Sequence, residues 1–174
     1  SEVMLQQTQV ERVIPKFNEF VELFPSFEAL AEASPGDVIR AWAGLGYNRR
    51  AVRLHRLAQV LVRENAGELP RDVDALRQLP GLGPYTAAAV ACFAFGASAP
   101  LADTNIYRVL SRAVHGVEAP SRKQIDGLVT QLVPSEGASE WYQGLMDIAA
   151  AHCTVAAPRC AGCPLRGDCA AAPL

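Results

Sequence analysis

Lysine is scarce in this 174-residue chain: Lys16 and Lys123 stand against fourteen arginines, and arginine's planar fork suits phosphate oxygens. Net charge is scarce too, since 16 basic and 18 acidic residues leave −2. That balance excludes a histone-like coating protein without excluding a local nucleic-acid surface. No apolar run reaches transmembrane length, the longest candidate being 85–95, and no basic–apolar–small signal pattern opens the chain. Internal repeats are missing. So is the strict alternation of a half-buried strand, which leaves an all-helical class. With half its residues apolar, the chain can bury one large core or two closely joined lobes without disulfides.

Cysteine is sparse except at one place. Four of the five, Cys153, Cys160, Cys163 and Cys169, fall within 17 residues in the spacing C-x6-C-x2-C-x5-C. Such crowding predicts a soft-metal site, zinc or iron–sulfur, more readily than a secreted disulfide framework, and so a reducing interior. Pro158 and Pro164 stiffen that loop and Arg159 and Arg166 give it positive charge, so a structural clamp is the expected role. Cys92, inside an alanine-rich apolar run, reads as an ordinary packed thiol.

Local signals divide the chain into helices. The apolar positions between Val3 and Phe24 predict two consecutive or bent helices with Pro15 near the start of the second. Ser26, Ser34, Asp72, Asp103 or Thr104, and Ser121 are predicted caps, and Gly137 or Ser139 precedes a last helix. Residues 47–65 read as one long helix with an arginine-rich face formed by Arg49, Arg50, Arg53 and Arg56. Between two helices lies Leu79-Pro80-Gly81-Leu82-Gly83-Pro84-Tyr85. Gly81 and Gly83 allow backbone N–H groups to face a phosphate, while Leu82 would pin the turn to the core. The segment lacks the lysine and hydroxyl residue of a nucleotide-binding P-loop, so a nucleic-acid backbone is its expected ligand.

Five ordered motifs carry a resemblance over nearly the whole chain: Ser-Glu-Val-Met-Leu-Gln-Gln-Thr-Gln-Val at 1–10, Gly-Leu-Gly-Tyr at 44–47, Leu-Pro-Gly-Leu-Gly at 79–83, Ala-Asp-Thr-Asn at 102–105, and the four cysteines. In these the chain resembles the helix-hairpin-helix DNA glycosylases, and most of all the MutY-type adenine glycosylases. The resemblance implies an all-α fold of two lobes with a C-terminal 4Fe-4S cluster loop. Residues 1–115 would form mainly a six-helix-type lobe with the hairpin at about 72–96, and 116–174 a cluster-bearing lobe completed by an upstream segment. The carboxyl-terminal domain that reads 8-oxoguanine in that family is not present in the sequence up to Leu174.

The same resemblance assigns residues. Glu2 would donate a proton to adenine N7, while ionised Asp103 stabilises the cationic sugar or attacks it transiently before water finishes the reaction. Gln6, Gln7 and Tyr47 would approach bases, with Gln7 and Tyr47 forming the wedge that holds space as a nucleotide flips out. Arg49 would meet phosphate, as would the turn at Gly81, Leu82 and Gly83, where the resemblance also admits a monovalent cation. Tyr85 stands where strand-cutting relatives carry their catalytic lysine and cannot form a Schiff base, which implies a monofunctional enzyme. Asn48 and Tyr107 depart from the family pattern, which commonly has an aromatic and a lysine there.

The expected activity is excision of adenine mispaired with 8-oxoguanine or guanine. The alternatives are a thymine or uracil mismatch glycosylase, a noncatalytic DNA-structure-binding module, or a zinc-stabilised interaction protein. The expected partner is double-stranded DNA carrying a mismatch or oxidative lesion. The protein would act as a monomer away from membranes, in the cytoplasm or nucleoid of a bacterium.

Overall fold

The computed structural model describes residues 1–116 and 120–172; the remainder, including Leu174, lies outside the described residues. Among these residues every regular element is helical. The chain divides into two compact units, Ser1–Val90 and Ala91–Leu174.

The first unit holds α1 (Glu2–Leu5), α2 (Val10–Leu23), α3 (Phe27–Glu32), α4 (Pro35–Ala41), α5 (Arg49–Glu64), α6 (Val73–Arg77) and the start of α7 (Pro84–Phe95). Its starts follow the predicted chemistry. Ser26, Ser34 and Asp72 each accept a hydrogen bond from a backbone N–H of the helix they open, satisfying a donor that the helix itself cannot. The first break differs from expectation. It falls at Gln6–Gln9, while Pro15 sits inside α2, which carries on because Val13 and Phe20 on either side are buried.

That unit's core gathers Met4, Val13, Phe20, Leu30, Val38, Trp42, Leu45, Ala51 and Ala58. Phe20 meets Trp42 edge to face with centroids 6.0 Å apart, and the indole N–H donates to the Gly46 carbonyl at 3.0 Å. Trp42 is fully buried and therefore fixes the Gly44–Tyr47 turn to the core; truncation to alanine would cost about 3–5 kcal/mol.

The second unit contains the rest of α7, then α8 (Thr104–Leu110), a π-helical turn at Ser111–His115, α9 (Arg122–Leu132), α10 (Ala138–Ala151), and 3₁₀ turns at Cys160–Gly162 and Arg166–Asp168. A full capping box of Ser121 and Gln124 starts α9, and Gly137 in the left-handed region (φ 71°) starts α10. Tyr142 of α10 is fully buried. Its hydroxyl donates to the Ala99 carbonyl and accepts from Leu101 N–H, both at 2.9 Å, which fixes the extended stretch leading to Asp103. Burial pushes that phenol up to about 12, against a smaller opposite pull from the Leu101 hydrogen bond.

Among the described residues no helix is long and apolar enough to cross a membrane.

Candidate active site

Glu2 opens α1 and is half-buried. Burial raises its carboxyl above the ordinary value, opposed in part by a hydrogen bond with the Ser1 side chain. A carboxyl placed so is biased toward its protonated, proton-donating form. Met4, 3% exposed, anchors the same short helix in the core, so Glu2 projects from a held backbone.

The residues after α1 turn sharply. Gln6 faces inward, its amide Nε2 donating to buried Thr86 Oγ1 at 2.9 Å, whereas Gln7 is exposed and left-handed at φ 56°. Tyr47 is also left-handed (φ 49°) and 65% exposed. Such backbone costs a non-glycine residue on the order of 1–3 kcal/mol and persists only when its surroundings enforce it. Gln7 and Tyr47 line one open depression of 810 Å³ together with Gln9, Arg12, Gly44 and Asn48. Tyr47 therefore stands outside the long helix expected at 47–65, which begins at Arg49.

Arg50 supplies the enforcement, and the arginine pattern of the sequence concealed it. Arg49, Arg53 and Arg56 are exposed, but Arg50 is only 8% exposed. Its guanidinium donates to the carbonyls of Val3 (3.0 Å), Met4 (2.9 Å) and Gln6, to Thr8 Oγ1 (3.0 Å), and to the carbonyls of Leu45 (2.9 Å) and Gly46 (3.3 Å). It also lies 5.4 Å from the ring centroids of both Trp42 and Tyr47. Burial pulls the pKa of this guanidinium below the ordinary arginine value, with Tyr47 acting the other way. Arg50 thus joins the tail of α1 to the turn before α5.

At the helical hairpin, Leu82 is buried while Gly81 and Gly83 are exposed. Gly81 has φ 86°, and a Cβ there would stand 2.9 Å from Arg53 Cβ, so the close approach of α5 needs glycine. Tyr85, in the first turn of α7, is half-buried.

In the second unit, Asp103 caps α8. Its Oδ1 accepts from the N–H groups of Asn105 (2.9 Å) and Ile106 (2.8 Å), and its Oδ2 accepts from Asn105 Nδ2 at 2.9 Å. The Asn105 amide is itself oriented, since Arg108 Nη2 donates to its Oδ1 at 3.1 Å. Arg108 in turn donates from Nε to the Cys153 carbonyl at 2.7 Å and from Nη2 to the Ala149 carbonyl at 3.3 Å. Arg122 donates to the Ala102 carbonyl just ahead of the aspartate, and its guanidinium lies over the Tyr107 ring. Only the Ala-Asp-Thr-Asn motif signalled this network; Arg108, Arg122 and Tyr142 carried no local sequence signal.

The cofactor expectation needs correction. Cys153, Cys160, Cys163 and Cys169 line one cavity of 470 Å³, yet among the described residues no three His, Cys, Asp or Glu side chains are placed to hold a metal ion. The arrangement therefore does not fit the expected 4Fe-4S cluster, and the hairpin turn likewise has no such group for a cation. Two of the thiols have other partners. Arg112 Nη1 donates to Cys153 Sγ at 3.4 Å, and Cys169 Sγ donates to the Arg112 carbonyl at 3.7 Å. Arg112 also binds the carbonyls of Thr154 (2.7 Å) and Val155 (2.9 Å), so the loop is held by arginine and backbone bonds. Cys92 is fully buried, as expected of a packed thiol, and burial raises it.

Comparison with known proteins places this geometry in a family. The chain is 50% identical over 167 residues to the adenine DNA glycosylase of Mycolicibacterium smegmatis, an alignment covering 95% of this chain and 57% of that relative, so the chain spans a little over half its length. A solved thermostable thymine-DNA glycosylase superposes with a TM-score of 0.89 at 31% identity, covering 98% of this chain and 80% of that one. Endonuclease III in a non-covalent DNA complex superposes with a TM-score of 0.85 at 26% identity, covering 97% and 79%. The profile described as "HhH-GPD superfamily base excision DNA repair protein" matches residues 1–135, and the chain belongs to that superfamily.

Proposed function

We propose that the protein is a monofunctional DNA N-glycosylase that removes adenine mispaired with 8-oxoguanine or guanine from double-stranded DNA. The observation that carries this reading is the half-buried Glu2 carboxyl, biased toward its protonated form and set on the same segment as the strained Gln7. The adenine-specific name of the relative at 50% identity supports the choice of base.

In this reaction the nucleotide is flipped out and the bond between adenine N9 and sugar C1′ breaks. Glu2 supplies the proton that adenine N7 takes up, making the purine a neutral leaving group. Asp103 stays ionised and faces the positive charge that develops on the sugar, or bonds to C1′ until water displaces it. Its two backbone N–H donors and the Asn105 amide fix the orientation of the carboxyl group. Gln7 and Tyr47 wedge into the duplex beside the vacated position, and Arg49 with the Gly81–Gly83 turn holds backbone phosphate. Tyr85 provides no amine at the hairpin, so the sugar–phosphate backbone stays intact.

A second reading, removal of thymine or uracil from mismatches, draws on the likeness to the thymine-DNA glycosylase. Duplexes pairing adenine, thymine or uracil with guanine or 8-oxoguanine separate the two. The proposal expects free adenine, uncut strands and no borohydride-trapped adduct; selective pyrimidine release would overturn it.

A further inference from the structure

Gln7 and Tyr47 are 40 positions apart in sequence, yet both hold left-handed backbone that neither residue type favours, and both line the same depression. Neither conformation is locally encoded. Asparagine and glycine, the residues that adopt it readily, are absent from both positions. A single buried group touches the backbone on each side: the Arg50 guanidinium donates to the Gln6 carbonyl and Thr8 hydroxyl around Gln7, and to the Leu45 and Gly46 carbonyls ahead of Tyr47. The Tyr47 ring lies against the same cation. Thr8 closes the loop, its hydroxyl donating to the Leu45 carbonyl at 3.4 Å.

We propose that Arg50 is a positioning residue that couples Gln7 to Tyr47, holding the two as one wedge at fixed spacing. The inference rests on the wedge role given to this pair above. Arginine is required because its planar fork reaches acceptors on two segments at once, which the single ammonium point of lysine cannot do. The guanidinium need not touch DNA. Fixing the wedge before DNA arrives removes the ordering cost that would otherwise fall on the flipping step.

The test is a double-mutant cycle on single-turnover adenine release from an adenine·8-oxoguanine duplex at saturating protein. Circular dichroism and melting confirm that each variant is folded. Arg50→Lys is expected to lower the rate about tenfold or more in the wild-type background but at least about fivefold less in the Tyr47→Ala background, because the coupling has already been lost. Should Arg50→Lys fail to fold, Thr8→Val removes one acceptor of the guanidinium and is expected to show the same non-additivity with a smaller loss, about threefold. Equal losses in both backgrounds mean that Arg50 merely supports the fold, and an unchanged Arg50→Lys rate means that it does not position the wedge; either result overturns the inference. A wild-type protein that releases no adenine would instead sink the functional reading on which it rests.

Discussion

Replacing Asp103 by asparagine separates its two duties, because asparagine caps helices as well as aspartate does but carries no charge. The Oδ1 contacts to Asn105 and Ile106 N–H survive the change. The Oδ2 contact does not: the new amide would present N–H groups to the Asn105 Nδ2 donor, and that amide cannot simply turn over, because Arg108 holds its oxygen. One hydrogen bond at about 0.5–1.5 kcal/mol and a charge at a helix N-terminus at about 0.3–1 kcal/mol are lost, so unfolding should cost about 1–2 kcal/mol less. Asp103→Ala, which also forfeits the cap, should cost about 2–3 kcal/mol. The chemistry should respond on a different scale. Removing the charge that faces the developing sugar cation should slow single-turnover base release about 10²-fold or more, with duplex affinity nearly kept. Urea unfolding and single-turnover kinetics on the same preparations make the comparison. Asp103→Asn releasing adenine within about threefold of wild type would reduce Asp103 to a cap and refute the reasoning.

Gly81→Ala places a Cβ 2.9 Å from Arg53 Cβ at a left-handed position, and should lower stability by about 1–3 kcal/mol in thermal unfolding, where Gly83→Ala, with nothing within 4 Å of its Cβ, would show almost none. Tyr142→Phe strips the partner from buried Leu101 N–H and from the Ala99 carbonyl; a loss of about 1–3 kcal/mol is expected in urea unfolding, with slower base release through the loosened approach to Asp103. Glu2 should impose a pH slope on stability. Because its folded-state value is raised, its contribution is fully present below the ordinary glutamate value and fades as pH rises through the raised one, a slope that Glu2→Gln should remove in unfolding titrations.

Caps were legible in the sequence because they are local: Ser26, Ser34, Asp72, Asp103 and Ser121 each bond a backbone group two or three residues away. Motif order was equally informative, and it led to the superfamily that the profile match shows. What stayed hidden is long-range. Nothing near Gln7 announces positive φ, since the Arg50 guanidinium that donates to the Gln6 carbonyl is 44 positions away; Tyr47 has the same arginine close by in sequence, but the burial that turns it inward is set by packing. Helical spacing placed Arg50 in a solvent-facing arginine row, and only tertiary packing reveals that it is buried. Pro15 misled in the opposite sense, because burial on both sides carries α2 past a residue that cannot donate. Cysteine spacing predicted a metal centre, but spacing does not fix side-chain convergence, and Arg112 engages two of the four sulfurs.

The account depends most on a proton carried by Glu2. Single-turnover adenine release across pH, compared between wild type and Glu2→Gln, measures it directly. The wild-type rate should fall as pH rises through the raised Glu2 value, and Glu2→Gln should lose about 10²–10⁴-fold together with that basic limb. A Glu2→Gln protein that keeps the wild-type rate and pH profile would contradict the mechanism.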